Sequence, residues 1–502
     1  MSTLTFQASD TETLSATDAR ADAAPGTRTL PKPDIAVIGA GSGGLSVAAA
    51  AAAFGVDVVL IEKGKMGGDC LNYGCVPSKA VIAAGKHAQA IREAAKYGVS
   101  AGEPRVDYAK VHEHVQDVIA SIAPNDSVER FTALGVKVIQ AAGRFTDPDT
   151  IVAGAYEIKP RRVVVATGSS AFVPPIEGLS SVDYLTNESL FDLTELPEHL
   201  IVVGGGPIGL EMAQAHRRLG SRVTVLEGLR ALGKDDPELA AIVLDKVREE
   251  GVDLRENTKV MSVAPGENGQ GVTVEVETPT GPETVRGTHL LIAAGRKANV
   301  AGLGLDEAGV TYDRRGIEVT KKMRTTNRRV YAIGDVAGGF QFTHMAGYHA
   351  GLVIRAMLFR LPAKENTEIV PWATYTDPEL GHVGLNEEQA REKYGTVNVL
   401  RWPYAENDRA QAERKTAGVI KLITAKRGRI VGASIAGAGA GEILNTMSLA
   451  VAQKLKVADM TGFISPYPTL TEIGKRAATS ALAPAARKPL VRRVVNFLQK
   501  FG

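Results

Sequence analysis

One short pattern is written twice in this chain, and it limits the fold more than any other feature. Ile35-Ala36-Val37-Ile38 is an apolar run of the kind that fills a buried parallel strand. The loop Gly39-Ala40-Gly41-Ser42-Gly43-Gly44 follows at once, then helical sequence through Ala53 and a strand over 56–61 that ends in Glu62. The order returns with a strand over 200–203, the loop Gly204-Gly205-Gly206-Pro207-Ile208-Gly209, a helix over 210–219 and a strand over 222–226 ending in Glu227. In both copies the acid lies 23 positions after the first glycine. Strand, G-x-G-x-x-G loop, helix and distant acid together make a dinucleotide-binding unit. The first glycine (Gly39, Gly204) allows the tight turn, and the second (Gly41, Gly206) lets the backbone approach a pyrophosphate. The third (Gly44, Gly209) lets helix and strand close up. The helix N-terminus offers N–H donors and partial positive charge to the phosphates, and Glu62 and Glu227 are placed to accept from a ribose diol. A single loop of this kind could be an ordinary turn before a helix. Two at the same spacing predict an electron carrier that stays bound and a second nucleotide that comes and goes.

Composition sets the outer limits. A length of 502 residues points to about three domains, and 44% hydrophobic with 23% charged residues is the range of a soluble globular protein. Lys plus Arg number 58 against 56 Asp plus Glu, so a net charge of +2 gives no electrostatic reason to expect nucleic acid. Glycine is in excess, 53 residues or about 11% against a usual ~7%, without a collagen period or low-complexity tract. The two cysteines, Cys70 and Cys75, exclude a disulfide-stapled scaffold and a four-cysteine zinc or iron–sulfur site, and no resident metal is expected. Residues 1–33 lack a basic start and an apolar core and read as a disordered tail, not a signal peptide. No apolar stretch reaches the length of a membrane span; the Ala-rich run after Gly44 fits a soluble helix packed on a sheet. The expected location is cytoplasmic, where a close cysteine pair is more often redox-active or metal-binding than structural. Two further strand-then-glycine stretches, ending in Thr167-Gly168 and in Gly295-Arg296, read as crossings between domains. A third ends in Gly334-Asp335, where the acid could hold a polyol or simply close a turn.

The cysteines lie in Met66-Gly67-Gly68-Asp69-Cys70-Leu71-Asn72-Tyr73-Gly74-Cys75-Val76-Pro77-Ser78-Lys79. Thiols about a turn apart can close a disulfide, and a helix N-terminus with a nearby cation would hold one as thiolate. Spacing alone also allows a structural disulfide or a two-thiolate metal site. With these flanks, the chain resembles the class I FAD-dependent pyridine nucleotide–disulfide oxidoreductases, the lipoamide dehydrogenase, glutathione reductase and mercuric reductase family, over roughly residues 34–476. The mercuric-reductase-like members are the nearest. The resemblance implies an α/β fold with two Rossmann-like domains, one for tightly bound FAD and one for NAD, plus a C-terminal α+β dimerisation domain. It implies a homodimer with shared active sites, and the segments 34–187 and 313–365 for FAD, 188–312 for NAD(P) and 366–482 for the interface. Cys75 would face the flavin as its charge-transfer partner, and Cys70 would attack the substrate. Lys79 would lie near the flavin with Glu211 as its ion-pair partner, while Ser78 and Asp69 read as local caps. Asp335 would bind the ribityl chain, and Thr343-His344-Met345-Ala346 resembles the segment beneath the isoalloxazine, with no catalytic role for His344. Gly67, Gly68, Thr167, Gly168, Gly334 and Ala346 join the implied flavin contacts, and Gly295 the nucleotide contacts. Tyr375-Thr376-Asp377-Pro378-Glu379 resembles the opening of the interface domain.

Two departures from the family narrow the chemistry. Lipoamide dehydrogenases and glutathione reductases end in His-Pro-Thr-x-x-Glu, whose histidine is the acid/base for the substrate thiol; here the match is Tyr467-Pro468-Thr469-Leu470-Thr471-Glu472. Tyr titrates near 10 and His near 6.5, a gap of roughly 4.8 kcal/mol in proton affinity. Tyr467 can donate a hydrogen bond at neutral pH but is rarely available as a base, which points away from dihydrolipoamide. Mercuric reductases are similar to this chain in carrying tyrosine there, yet their C-terminal cysteine pair and N-terminal metal-binding domain have no counterpart among these 502 residues. The acceptor is then a small disulfide, a thiol-bound metal ion or a quinone. A dihydrolipoamide dehydrogenase is the alternative enzyme, and a flavin-bound docking or structural protein the alternative outside catalysis. Glu227 would repel a 2′-phosphate and favours NADH, while Arg230, three residues on, keeps NADPH as the alternative.

Residues 483–502 form a basic tail. Leu490, Val491, Val494, Val495, Leu498 and Phe501 recur at helical spacing on one face, with basic residues over much of the other. That is the pattern of a helix that either docks on its own dimer or makes peripheral membrane contact, which would suit a quinone.

Overall fold

The computed structural model describes residues 28–30, 32–486 and 488–501. They form two compact units. The first contains the described residues up to 68 with 125–168 and 298–363. Its frame is a parallel five-stranded sheet in the order Val330–Ala332, Arg162–Val165, Ile35–Ile38, Val58–Glu62, Lys137–Gln140. Every residue of Ile35–Ile38 is buried, which is why this strand is an unbroken apolar run instead of an alternating one. The helix Ser42–Ala53 covers it with small side chains, burying Gly43, Gly44, Val47, Ala48 and Ala51, and packs in turn on the helix Thr343–Leu358.

The first helix begins at Ser42, inside the glycine loop, because the third glycine belongs to the first helical turn. The strand that follows is Val58–Glu62, since the Val56 N–H is taken by the carbonyl of Ala51. Part of the segment read as a disordered tail is ordered. Arg28–Thr29 add an edge strand to Tyr156–Ile158, with the Arg28 N–H on Ala155 O at 2.9 Å and the Leu30 N–H on Glu157 O at 3.2 Å. Residues 1–27 of that tail lie outside the described residues.

The second unit contains 69–124, 169–297 and the described residues from 364 onward. Its parallel sheet runs Asp253–Arg255, Arg222–Leu226, His199–Val203, His289–Ile292. The loop-bearing strand again lies between the strand that follows it and a later one, so the repeat read in the sequence is also a repeat of sheet order. The helix Pro207–Leu219 starts three residues before the expected 210, with proline at its first position, where no N–H bond is lost. A three-stranded antiparallel sheet, Lys259–Pro265, Val272–Thr278 and Gly281–Gly287, closes this part. The C-terminal part is a five-stranded antiparallel sheet, Pro371–Thr374, Glu379–Gly384, Ile430–Gly437, Val419–Thr424, Asn398–Pro403. Helices Ala440–Ala452 and Glu472–Ser480 cover it around Val383, Tyr404, Ile420, Ile435, Ile443, Met447 and Ile473.

The helix Cys75–Glu93 packs along Pro207–Leu219. Gly85 allows the approach, because a Cβ there would lie 3.1 Å from the carbonyl of Ala215. Among the described residues no helix is long and apolar enough to cross a membrane.

Candidate functional site

The two glycine loops have the same geometry. Gly39 has φ +106° and Gly204 φ +117°, and a Cβ on either would strike a backbone carbonyl of the adjacent strand end, that of Ala166 or of Ala293. A Cβ on Gly44 would strike the carbonyl of Gly39, and one on Gly209 that of Gly204. These four glycines are demanded by the protein's own packing. Gly41 and Gly206 are not. Their φ values are −82° and −78°, and an added Cβ would meet only Gly68 Cα at 3.9 Å in the first case and nothing within 4 Å in the second. Glycine at those positions is therefore explained by something that approaches the loop from outside. Both residues cap their helices without a side-chain hydrogen bond, and neither helix has an acid in its first turn, the arrangement that receives a diphosphate. Each acid is held by two backbone N–H groups. Glu62 accepts from Ala40 at 2.6 Å and Gly64 at 2.7 Å, Glu227 from Gly205 at 2.7 Å and Leu229 at 2.8 Å. Arg230 is exposed.

Other expected flavin positions gather around the first loop. Ala346, on the helix Thr343–Leu358, lies where a Cβ on Gly43 or Gly334 would come within 3.2 Å and 3.1 Å of its own. Gly67 and Gly68 both have positive φ; the Gly67 N–H donates to Ala40 O at 3.0 Å, and a Cβ on Gly68 would sit 2.7 Å from Gly41 Cα. Thr167 donates through its hydroxyl to Asn299 O at 2.8 Å, and the Asn299 amide returns a bond to Thr167 O at 3.0 Å. Asp335 is the second residue of the short helical turn Gly334–Ala337, and the Gly334 N–H donates to His349 Nδ1 at 3.2 Å. Small residues around an uncapped helix start, with a pinned acid at the next strand end, fit an adenine dinucleotide flavin. In the second unit Gly295 has φ +124° and its carbonyl accepts from Phe172 N–H at 2.9 Å.

Cys70 and Cys75 belong to the second unit. Cys70 sits half-buried in the single turn Gly68–Asn72, and exposed Cys75 is the first residue of the nineteen-residue helix Cys75–Glu93. A helix N-terminus favours the anionic form of a thiol. One turn on, Lys79 Nζ lies 2.8 Å from Glu211 Oε2 and 4.4 Å from the centre of the Tyr375 ring. The other oxygen of Glu211, which is buried, accepts the Tyr375 N–H at 2.9 Å. The expected pair Lys79–Glu211 is thus brought together, with Tyr375 as a third member absent from the expectation. Burial pushes the Tyr375 phenol up; Lys79 pulls against this, while Glu211, Glu379 and Cys75 add to it. Ser78 donates to Cys75 O at 3.2 Å, a local bond as expected. Asp69 does more than cap. It accepts from Asn187 Nδ2 at 2.9 Å and pairs with Arg296 at 3.1 Å, and Asn187 also donates to Tyr73 O at 3.1 Å. These bonds brace the short loop between the cysteines, where a Cβ on Gly74 would meet Asp69 Oδ2 at 2.8 Å. Asn187 was legible only as a polar residue between elements.

Tyr467 is exposed and donates to Asp408 Oδ2 at 2.8 Å. That hydrogen bond and the Asp408 charge hold the phenol above its usual range. Glu472, at the start of its helix, accepts from the Thr469 N–H at 3.3 Å. Among the described residues no group of three or more His, Cys, Asp or Glu is placed to hold a metal ion.

Two nucleotide loops, two cysteines at and just before a helix start and an antiparallel C-terminal domain are the features of a flavin- and pyridine-nucleotide-dependent disulfide oxidoreductase. The pyridine nucleotide-disulphide oxidoreductase family matches residues 33–350, and its dimerisation domain matches 370–478. The chain belongs to this family, is an FAD-dependent oxidoreductase, and carries the domain through which the family forms homodimers. It is 34% identical to a mercuric reductase of Streptomyces lividans over 463 residues, covering 90% of this chain and 97% of that one. It is 33% identical to a dihydrolipoyl dehydrogenase of Geobacillus stearothermophilus over 456 residues, covering 89% and 95%. Among solved structures, the HOCl-induced flavoprotein disulfide reductase RclA of Escherichia coli superposes with a TM-score of 0.79 at 28% identity, over 89% of this chain and 99% of that one. LpdA of Mycobacterium tuberculosis gives 0.81 at 26% over the same shares.

Proposed function

We propose that this enzyme moves electrons from NADH, through FAD and the Cys70–Cys75 disulfide, to a small disulfide, a thiol-bound metal ion or a quinone. The observation that carries this is the start of the cysteine helix, where Cys75 opens the helix and Lys79 is held one turn later by Glu211 at 2.8 Å. Residues 34–187 and 313–365 hold the flavin, 188–312 the nicotinamide nucleotide and 366–482 the dimer contact, in a cytoplasmic protein. The first loop with Glu62, Gly67, Gly68, Thr167, Gly168, Gly334, Asp335 and Ala346 binds FAD; the second with Glu227 and Gly295 binds NADH. When bound, the flavin supplies two-electron chemistry between nicotinamide and disulfide. With two electrons and one proton the disulfide opens to a Cys75 thiolate, favoured by the helix N-terminus, and a Cys70 thiol. Cys70 then passes the electron pair to the acceptor, its thiol proton going to the reduced acceptor or to solvent, and the disulfide closes again.

Tyr467 and Glu472 of the partner subunit line the acceptor site. With its proton held toward Asp408, Tyr467 is a donor and not a base, which disfavours the oxidation of dihydrolipoamide, a dithiol donor whose proton a base must take. Glu227, fixed by two backbone N–H groups, would repel a 2′-phosphate. NADH is therefore expected to give the higher kcat/KM, and a strong preference for NADPH would overturn that assignment. Replacing Cys75 with Ser should abolish the long-wavelength charge-transfer band that NADH reduction produces; a surviving band rejects the role of Cys75. Anaerobic titration of NADH-reduced enzyme with glutathione disulfide, mercuric and cupric ions, a quinone and lipoamide identifies the acceptor. The identity shared with a dihydrolipoyl dehydrogenase keeps that second reading open, and rapid dihydrolipoamide turnover at neutral pH would adopt it. A flavin that NADH fails to bleach would mean a non-catalytic role.

A further inference from the structure

The helix Pro489–Leu498 plays no part in the catalysis proposed above. None of its residues is buried; Leu490 is 71% exposed and Leu498 59%. At about 100° per residue, Leu490, Val491, Val494, Val495, Phe497 and Leu498 occupy a continuous arc of about 160° with no polar residue in it. Phe501, just past the helix, continues the face, its ring 5.0 Å edge-on from Phe497. A surface helix ordinarily turns such a stripe onto its own core. Within one subunit this helix buries none of it.

The charges say what covers it. From residue 473 to residue 502 the chain has seven cations and no Asp or Glu. Lys488 and Arg492 border one edge of the apolar arc, and Arg493 and Lys500 lie beyond the other. A helix lying flat with its apolar face down would have cations along both sides, at the level where lipid phosphates sit, with their stems free to snorkel. A second copy of the same tail is a poor occupant, since pairing would bring like charges together. We propose that residues 488–501 form an interfacial helix that docks the enzyme on an anionic lipid bilayer. This rests on the tail alone and is independent of which acceptor the cysteines serve.

The test is co-sedimentation of the full-length, flavin-loaded enzyme with vesicles of phosphatidylcholine alone or with about 30% phosphatidylserine, at low salt and at about 0.5 M salt. At low salt at least tenfold more protein should pellet with the anionic vesicles than with the neutral ones, and added salt should release it. Val494→Glu with Leu498→Glu, and separately Arg492→Glu with Arg493→Glu, should each abolish binding while flavin content and NADH-dependent reduction of a soluble dye stay unchanged. No pelleting with anionic vesicles, or equal pelleting by both double variants, overturns the proposal. Breakdown of the dimer in gel filtration of the Val494→Glu, Leu498→Glu protein also overturns it, by showing that the helix docks on its own dimer instead.

Discussion

His216 shows how far one buried side chain can set a property of the whole enzyme. It sits fully buried in the helix Pro207–Leu219, with Nδ1 2.8 Å from Met212 O and Nε2 3.1 Å from the Tyr108 hydroxyl. A carbonyl can only accept, so Nδ1 carries the proton and Nε2 accepts from Tyr108. Burial pushes the His216 imidazole down to about 4 and the Tyr108 phenol up to about 12. A histidine whose folded value is lowered contributes stability that is fully present above its unfolded value near 6.5 and is lost as pH falls toward 4. The loss is about 3 kcal/mol over that window. Both tryptophans, Trp372 and Trp402, are in the second unit, so their fluorescence reads it directly. Its urea midpoint should fall between pH 7 and pH 4.5, and His216→Gln should make that fall smaller, the lowered His199, His289 and His382 carrying the rest. An equally acid-sensitive variant would mean that other groups carry it. Tyr467 shows the opposite balance: its identity is plain in the sequence, but its partner Asp408, 59 residues away, is not. Without that partner the shift of the phenol has no visible cause.

At the scale of elements, the glycine loops separate two demands that a G-x-G-x-x-G pattern merges. Gly209 is required by packing, because a Cβ there strikes the carbonyl of Gly204, whereas Gly206 has open space around it. Gly206→Ala should therefore fold with unchanged thermal stability and full flavin content, yet raise KM for NADH by about tenfold, through a methyl that obstructs the diphosphate. Gly209→Ala should lower stability as well, since the helix must shift off the strand. Equal stability losses in both variants, measured by thermal unfolding beside NADH kinetics, would refute this division. The loops were legible because everything that defines them is local: a fully buried strand reads as an apolar run, and the turn needs glycine at fixed offsets. The neighbourhood of the cysteines was legible through its resemblance to a family and not through its own periodicity. Lys79 and Glu211 are 132 positions apart, and their pairing, which the resemblance implied, depends on two helices packing across Gly85, which no short-range period encodes; the Tyr375 N–H on Glu211 and the Asn187 amide on Asp69 had no such signal. Arg28–Thr29 escaped for a related reason, because an edge strand of two residues exists only through the partner strand that accepts its bonds.

At the scale of the whole molecule, the dimerisation domain decides whether one chain is a complete enzyme. Cys75 and Lys79 stand at a helix start, while Tyr467 and Glu472 lie in the domain matched by the family's dimerisation segment. In the proposed enzyme the two sets meet across a two-fold axis, so each acceptor site takes its cysteines from one subunit and Tyr467 from the other. A subunit carrying Cys75→Ser and a subunit carrying Tyr467→Ala with Glu472→Ala would each form inactive homodimers. In the mixed dimer one site receives both defects and the other receives none. Random pairing of equal amounts makes half of all dimers mixed, each with one intact site of two, so the mixture should recover about a quarter of the wild-type rate. Co-expression with two affinity tags isolates the mixed dimer, which should reach about half that rate. If each site were built from a single subunit, one site of the mixed dimer would lack Cys75 and the other Tyr467, and no activity would return. The outcome thus reads the location of the acceptor site directly, whichever acceptor it serves.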